Sequence, residues 1–341
     1  MQTTAICNWK LRPILKDRER RMAEVTRTVL DALEIGYRHI DLATGYDNLS
    51  AIGAALRIAL TPKTDGGLGI PRQELWLTLK SDNYSSATID TCLDTLGVDY
   101  VDTFMLHHPY GYAFSSEMNL CRILRDVSAL PKDKVRTYGI SNCYLPHVER
   151  IIDVCKKNGF TLPFSNEIES NILAPNFDVI EFCKHHNIQV IAYSPIGYAY
   201  APLLLSEPDA FGVDNTLLKL AAEIDSTAAQ ASLAWHMSKG IAVIPKSRKK
   251  HRLEENFNAT TFIPSVLEQS ELADNVASMS GILESVTDTA QLAKQRGEQI
   301  SWSVEPFKIS TVTASKTESE AAAALDATVE DSDEVGSGCR I

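Results

Sequence analysis

Four residues could carry out acid–base chemistry together if the chain gathered them: Asp41, Tyr46, Lys80 and His107. A free tyrosine titrates near about 10, too high for efficient proton donation at neutral pH. A lysine ammonium beside it favours the phenolate and lowers that value. A carboxylate beside the lysine keeps the ammonium charged and fixes its position. A neutral imidazole can hydrogen-bond a substrate carbonyl and orient it. The set suits protonation of a developing alkoxide while hydride arrives from a nicotinamide. Each residue alone has a plainer reading. A strand-end lysine is a solvated charge, an aspartate a turn or salt-bridge partner, a loop tyrosine a packing group. His107 beside His108 could be a structural pair or half of a metal site. The joint occurrence in strand order argues for the chemistry.

The elements that must position them are legible as an alternation. From about Met22 to Phe257, short apolar runs end in polar residues: Tyr37–Asp41, Leu75–Lys80, Val101–His107, Val135–Asn142, Phe164–Glu169, Val190–Ser194 and Ile241–Lys246, with a weaker run at Ala5–Leu11. Between them lie segments of helical period, such as Val25, Val29, Leu33; Ile89, Leu93, Leu96; and Val148, Ile151, Ile152, Cys155. Alternating strands and helices imply a parallel sheet covered by helices. A doubly wound sheet would normally open on a Gly-rich turn, and no GxGxxG is present. Eight strands in one continuous alternation predict an α/β fold, a (β/α)8 TIM barrel, whose chemistry sits where strands end. The strand-closing polar residues Asp41, Lys80, His107, Ser141, Asn142, Glu167 and Lys246 then share one mouth, with Tyr46 in a loop just above Asp41.

Composition narrows the class. The 341 residues are 44% hydrophobic and 23% charged, a globular balance. The net charge of −11 makes the whole molecule a poor ligand for nucleic acid or an anionic membrane. Seven scattered cysteines without a CxxC pair favour reduced thiols and a cytoplasmic compartment over disulfides or a metal site. The expectation is no metal, no leader at Met1–Asn8 and no membrane span, since the apolar stretch Ile188–Leu205 is interrupted. Ser265–Gln299 has helical patterning. Beyond Ile309 the composition collapses to small and acidic residues, so residues 1–308 are expected to form the folded domain and 309–341 a disordered acidic tail.

The motifs resemble the aldo-keto reductase family. Gly36–Tyr46 followed by Ile52–Leu56 is similar to that family's first signature, and Leu93–Pro109 to its second. Val135–Asn142 and Ile244–Asn256 are similar to two more, so the resemblance covers roughly residues 5–258. It implies a reductase of aldehydes or ketones using NADP, with Asp41, Tyr46, Lys80 and His107 as tetrad and Tyr46 as general acid. It implies that Ser141, Asn142 and Glu167 meet the nicotinamide carboxamide, that Tyr193 stacks on the ring, and that Ser194 approaches the pyrophosphate. The basic run Lys246–Arg252 stands out in an acidic chain. A strand end and helix start rich in Lys, Ser and Arg make a phosphate cradle. By the resemblance Lys246, Ser247 and Arg252 hold the 2′-phosphate, with Arg248 as a further cation, and Glu255 and Asn256 hold the adenine.

The chain departs from the family pattern in three places. The N-terminus is short, with the first strand reduced to Ile6-Cys7-Asn8-Trp9, which predicts a weak place in the barrel wall. Glu167 stands where the family has Gln, and a carboxylate cannot donate to the carboxamide oxygen. His108 replaces a Trp after the catalytic His, so His108 and Trp9 are expected to line the substrate pocket. The short segment Tyr110–Asn119 leaves the carbonyl substrate unnamed. Trp302 and Phe307 read as packing residues. The competing reading is a catalytically impaired NADP-binding family member acting as a regulatory or structural subunit. An isomerase or aldolase on the same barrel has no need of this tetrad. A monomer is slightly favoured, and the terminal Cys339-Arg340-Ile341 offers peroxisomal targeting as an alternative address.

Overall fold

A computed structural model describes residues 6–7, 18–109, 114–197 and 216–277. In chain order these form β1 (Ile6–Cys7), α1 (Arg18–Ile35), β2 (His39–Ala43), α2 (Leu49–Leu60), β3 (Trp76–Ser81), α3 (Ser86–Leu96), β4 (Val101–Leu106), α4 (Glu117–Ser128), β5 (Val135–Ser141), α5 (Leu145–Asn158), β6 (Ser165–Glu169), α6 (Phe177–His185), β7 (Gln189–Tyr193), α7 (Thr216–Glu223), α8 (Ala228–Ser238), β8 (Ala242–Val243), α9 (Lys250–Asn258), α10 (Ile263–Glu268) and α11 (Ser270–Ala277). The strands pair in sequence order, each parallel to the next. The architecture is the (β/α)8 barrel that the alternation predicts. Parallel strands all finish at one rim, which is what lets residues far apart in sequence share a mouth.

Among the described residues, two apolar cores follow from strands buried on both faces. The outer one lies between strands and helices and takes in Val25, Val29 and Leu33 of α1, Ile89, Leu93 and Leu96 of α3, and Phe104 and Leu106 of β4. The inner one is small: Met105, Ile191, Ala242 and Ile244, with Tyr193 packed against it. Gly139 of β5 makes room for it, because a Cβ there would stand 2.8 Å from Ser165 Oγ and 3.1 Å from Met105 Cε. Gly53 does the same between α2 and α3, where a Cβ would stand 2.3 Å from the Thr95 carbonyl oxygen. Among the described residues no helix is long and apolar enough to cross a membrane, and Cys92, Cys121, Cys143, Cys155 and Cys183 are free thiols.

Several boundaries differ from expectation. Strand β2 runs His39–Ala43 rather than Tyr37–Asp41. Tyr37 stays outside the ladder because its backbone N–H donates to the Ala32 carbonyl at 3.0 Å, closing the end of α1; its hydroxyl donates to the Leu253 carbonyl at 3.0 Å. Asp41 is therefore in the middle of its strand, as Glu167 is of β6. Strand β8 is only Ala242–Val243: Ile244 N adds one more bond to Ala192 O, and then Pro245 has no N–H to offer. Strand β1 is two residues long, meeting β2 at Ile40 and Asp41. The helical stretch expected over Ser265–Gln299 is seen as α10 and α11 as far as Ala277. Trp9, Trp302, Phe307, the terminal tripeptide and the boundary at 308 lie outside the described residues.

The N-terminal ends of the strands carry a clamp that sequence reasoning did not anticipate. Asp102, 1% exposed, accepts from Arg72 Nη2 at 2.9 Å, Arg136 Nη1 at 3.1 Å and the Leu77 amide at 2.9 Å. The guanidinium carbons of both arginines stand against the Tyr100 ring, 3.9 and 4.0 Å from its centroid.

Candidate active site

Register explains the first contact of the site. Asp41 pairs with Thr78 and Ala43 with Lys80. Asp41 and Ala43 lie on one face of β2, so Lys80 on β3 points the same way, one pleat nearer the rim. Lys80 is 1% exposed, and its ammonium donates to Asp41 Oδ1 at 2.6 Å and Oδ2 at 2.5 Å. It also donates to Glu167 Oε1, reaching from β6, at 2.6 Å. One buried cation thus holds two buried carboxylates.

Tyr46 is placed by a single 3-10 turn, Thr44–Tyr46, that follows β2 directly and is closed by Asp47 in the left-handed region (φ 51°). The Tyr46 ring is buried, with Lys80 Nζ 5.5 Å from its centroid. His107 follows β4 and meets the same ring nearly edge-on, centroids 5.9 Å apart at 79°. The four residues singled out from sequence therefore come together. His107 is held neutral: burial first, then the charges of Lys80 and His108, pull its pKa down to about 2. A neutral imidazole has one N–H to donate. Burial first, then the Asp41 charge, raises the Glu167 pKa, and Lys80 only partly offsets this. Glu167 Oε2 is buried and has no hydrogen-bond partner among the described residues.

The neighbouring strand ends form a polar ledge. Asn142 adopts a left-handed conformation (φ 57°) that turns its amide back across the mouth. Its Nδ2 donates to the His107 carbonyl at 2.9 Å and to Ser141 Oγ at 3.2 Å, and its Oδ1 accepts from the Tyr193 hydroxyl at 2.8 Å. Ser141 Oγ donates to the Glu167 carbonyl at 3.1 Å. Tyr193 closes β7 as expected, and Ser194 follows with φ 50°.

The basic segment lies beyond β8. Lys246, Arg248, Lys249, Lys250 and Arg252 are exposed, while Ser247 and Asn256 are buried. Helix α9 starts at Lys250, so Lys250, His251 and Arg252 occupy its first turn, where the helix dipole is unfavourable to cations. Arg248 pairs with Glu24 at 3.4 Å, and Lys250 with Glu34 at 3.1 Å and Asp31 at 3.5 Å. Glu255 Oε1 accepts from Thr227 Oγ1 at 2.6 Å, linking α9 to the capping box of α8. His108 stacks on His107 with centroids 4.1 Å apart at 23°, and its Nδ1 is 3.0 Å from Asp82 Oδ1. Asp82, His107 and His108 offer ligand atoms within 4.8 Å of one another. Two nearly parallel imidazoles do not aim their in-plane lone pairs at one point, so the arrangement is that of a stacked pair with a carboxylate partner.

Sequence reasoning missed the link from Glu167 to Lys80, the Asp82–His108 pair and the Tyr193–Asn142 bond. Only the first had a signal in the sequence, an acid where the resemblance expects an amide.

Fold and site together define a class: a parallel β/α barrel with a buried phenol–ammonium–imidazole–carboxylate cluster at the C-terminal ends of its strands. The chain belongs to the aldo/keto reductase family, whose model matches residues 15–279. It is 31% identical to a D/L-glyceraldehyde reductase of Hypocrea jecorina over 258 residues, 69% of this chain and 75% of that one. It is 28% identical to glycerol 2-dehydrogenase (NADP(+)) of Saccharomyces cerevisiae over 282 residues, 75% of this chain and 83% of that one. Among solved structures it is similar to MGS-M4, an aldo-keto reductase from a Medee basin deep-sea metagenome library. That match has a TM-score of 0.66 and 27% identity, and covers 82% of this chain and 92% of the other.

Proposed function

We propose that the protein is an NADP(H)-dependent reductase of aldehydes or ketones, with Tyr46 as the proton donor. The observation that carries this reading is one buried tyrosine ring with Lys80 Nζ 5.5 Å and the His107 ring 5.9 Å from its centroid. The reduced nicotinamide, when bound, supplies hydride to the carbonyl carbon. His107, neutral at any physiological pH, hydrogen-bonds the carbonyl oxygen and orients it. Tyr46 gives its hydroxyl proton to that oxygen as negative charge develops there. Lys80, fixed by its carboxylates, stabilises the phenolate that remains.

The residues present suit the cofactor. Ser141, Asn142 and Glu167 would meet the carboxamide, and the unpartnered Glu167 Oε2 is a buried polar atom in need of a partner. Tyr193 would face the ring, its plane fixed by the bond to Asn142, and Ser194 the pyrophosphate. Lys246, Ser247 and Arg252 would take the 2′-phosphate, with Glu255 and Asn256 near the adenine. Cations at the positive end of α9 repel the dipole, and an anion bound there relieves both. The name of the first relative makes small aldehydes such as glyceraldehyde the first substrates to try.

The test is NADPH oxidation with a panel of small aldehydes, wild type against Tyr46→Phe. Turnover in the wild type that falls at least about a hundredfold in the variant is expected, the size of a lost general acid. Equal turnover in both proteins would refute the role of Tyr46. One observation favours a second reading, a family member that binds NADP but turns over poorly. Glu167 adds a second anion at Lys80 and so opposes the phenolate. Tight NADPH binding without turnover in the wild type would select it.

A further inference from the structure

The hydrogen-bond inventory around Glu167 leads one step further, resting on the reading of the barrel mouth as a nicotinamide site. A carboxamide presents an NH2 that donates and an oxygen that accepts. Asn142 has committed both Nδ2 hydrogens, to His107 O and Ser141 Oγ, while its Oδ1 accepts from Tyr193 and keeps one lone pair. Ser141 has committed its single hydrogen to the Glu167 carbonyl. Asn142 Oδ1 can therefore receive the carboxamide NH2, but neither residue has a hydrogen left for the carboxamide oxygen. Glu167 remains. Its Oε1 accepts from Lys80, and its Oε2 is buried and unpartnered among the described residues. As a carboxylate it can only accept. As a carboxylic acid it accepts at Oε1 and donates at Oε2, the pattern of a glutamine side chain.

We infer that Glu167 binds the nicotinamide carboxamide as a protonated carboxylic acid, its Oε1 on Lys80 and its Oε2–H given to the carboxamide oxygen, so that cofactor binding takes up a proton. The groups facing Glu167 are Asp41 from β2, Lys80 from β3 and Tyr193 on β7. With both carboxylates ionised and Lys80 charged, the buried cluster carries one net negative charge; one proton makes it neutral. Asp41 takes two contacts from the ammonium and Glu167 one, so Glu167 is the better place for that proton. The direction of its titration agrees: burial, the Asp41 charge and a hydrogen bond with Asp41 in the free protein push it up against the pull of Lys80, so the carboxamide oxygen takes over that hydrogen on binding. The proton comes from solvent, and no bond other than Oε2–H forms. A group whose protonated form alone binds makes affinity constant below its pKa in the free protein. Above that, affinity falls by up to about tenfold per pH unit.

The experiment uses the full chain and NADPH as probe. Its Kd is measured by quenching of tryptophan fluorescence across neutral and alkaline pH, for the wild type and for Glu167→Gln, which keeps a donor at every pH. The wild-type Kd is expected to rise with pH by up to about tenfold per unit relative to the variant. Comparing the two removes the cofactor's own 2′-phosphate ionisation. Titration calorimetry of the wild type, in buffers of different ionisation enthalpy, gives the proton count without a variant and is expected to show net uptake at alkaline pH. A wild type that binds NADPH with no uptake, or with the same pH dependence as Glu167→Gln, overturns the inference and leaves the reductase reading standing. A wild type that binds no NADPH at any pH overturns both.

Discussion

Lys80→Met is the substitution whose outcome the geometry constrains most. It removes the one cation between Asp41 and Glu167 and keeps a side chain of similar length. Each contact is near 2.6 Å, which at an effective dielectric constant of about 20 is a gross attraction of about 6 kcal/mol. Desolvation of three buried ions cancels much of that. Breaking a buried pair by deleting one partner typically costs about 3–5 kcal/mol net, because it strands a buried charge. Here it strands two, and the only relief is to take up protons. The folded variant therefore holds a proton on Glu167 at pH values where the unfolded chain has lost it. When the native state binds more protons than the unfolded state, stability falls as pH rises. The deficit relative to wild type should be largest above neutrality and shrink toward about pH 5. For a domain of this size the alkaline loss corresponds to a fall in Tm on the order of 10 °C. Urea melts of both proteins followed by circular dichroism, at a series of pH values, measure the difference directly. A deficit that is absent, or constant with pH, would refute the picture of two carboxylates depending on one ammonium.

Three further outcomes are expected. Arg252→Ala should raise the NADPH Kd by about 10- to 150-fold, the loss of one charge-assisted contact, and leave the NADH Kd nearly unchanged; equal shifts in fluorescence titrations would remove Arg252 from the 2′-phosphate. His107, with its pKa near about 2, should contribute no acid limb to kcat/KM, since a depressed His loses its neutral form only below that value. An inflection between about pH 5 and 7 that disappears in His107→Gln would contradict its assigned state. Gly53→Ala should destabilise the fold by about 1–3 kcal/mol in urea melts, because its methyl would meet the Thr95 carbonyl at 2.3 Å; a neutral result would mean that α2 and α3 part freely.

The architecture was readable because burial on both faces makes each central strand a continuous apolar run and each helix a periodic one. Val29 and Leu33, or Leu93 and Leu96, announce their faces without reference to anything distant. The four candidate residues were readable because they lie on or just after three consecutive strands, β2, β3 and β4. Strand limits were less so: Tyr37 looks like a strand residue, but its backbone N–H closes the end of α1 on the Ala32 carbonyl instead of joining the ladder. The partnership of Glu167 with Lys80 was not readable, since β3 and β6 are not neighbours and meet only across the mouth. An acid in place of an amide was visible, but its reach to Lys80 depends on the curvature of the sheet. Likewise, Asp82 and His108 follow different strands, and nothing in their spacing marks them as a pair.

The clamp of Asp102, Arg72, Arg136 and Tyr100 fastens three consecutive strands at the end away from the chemistry. His108, on the opposite rim, takes no part in that clamp; its partner is Asp82. An exchange at His108 is therefore expected to change melting behaviour little. An exchange at Tyr100, which supports both arginines of the clamp, is expected to lower thermal resilience.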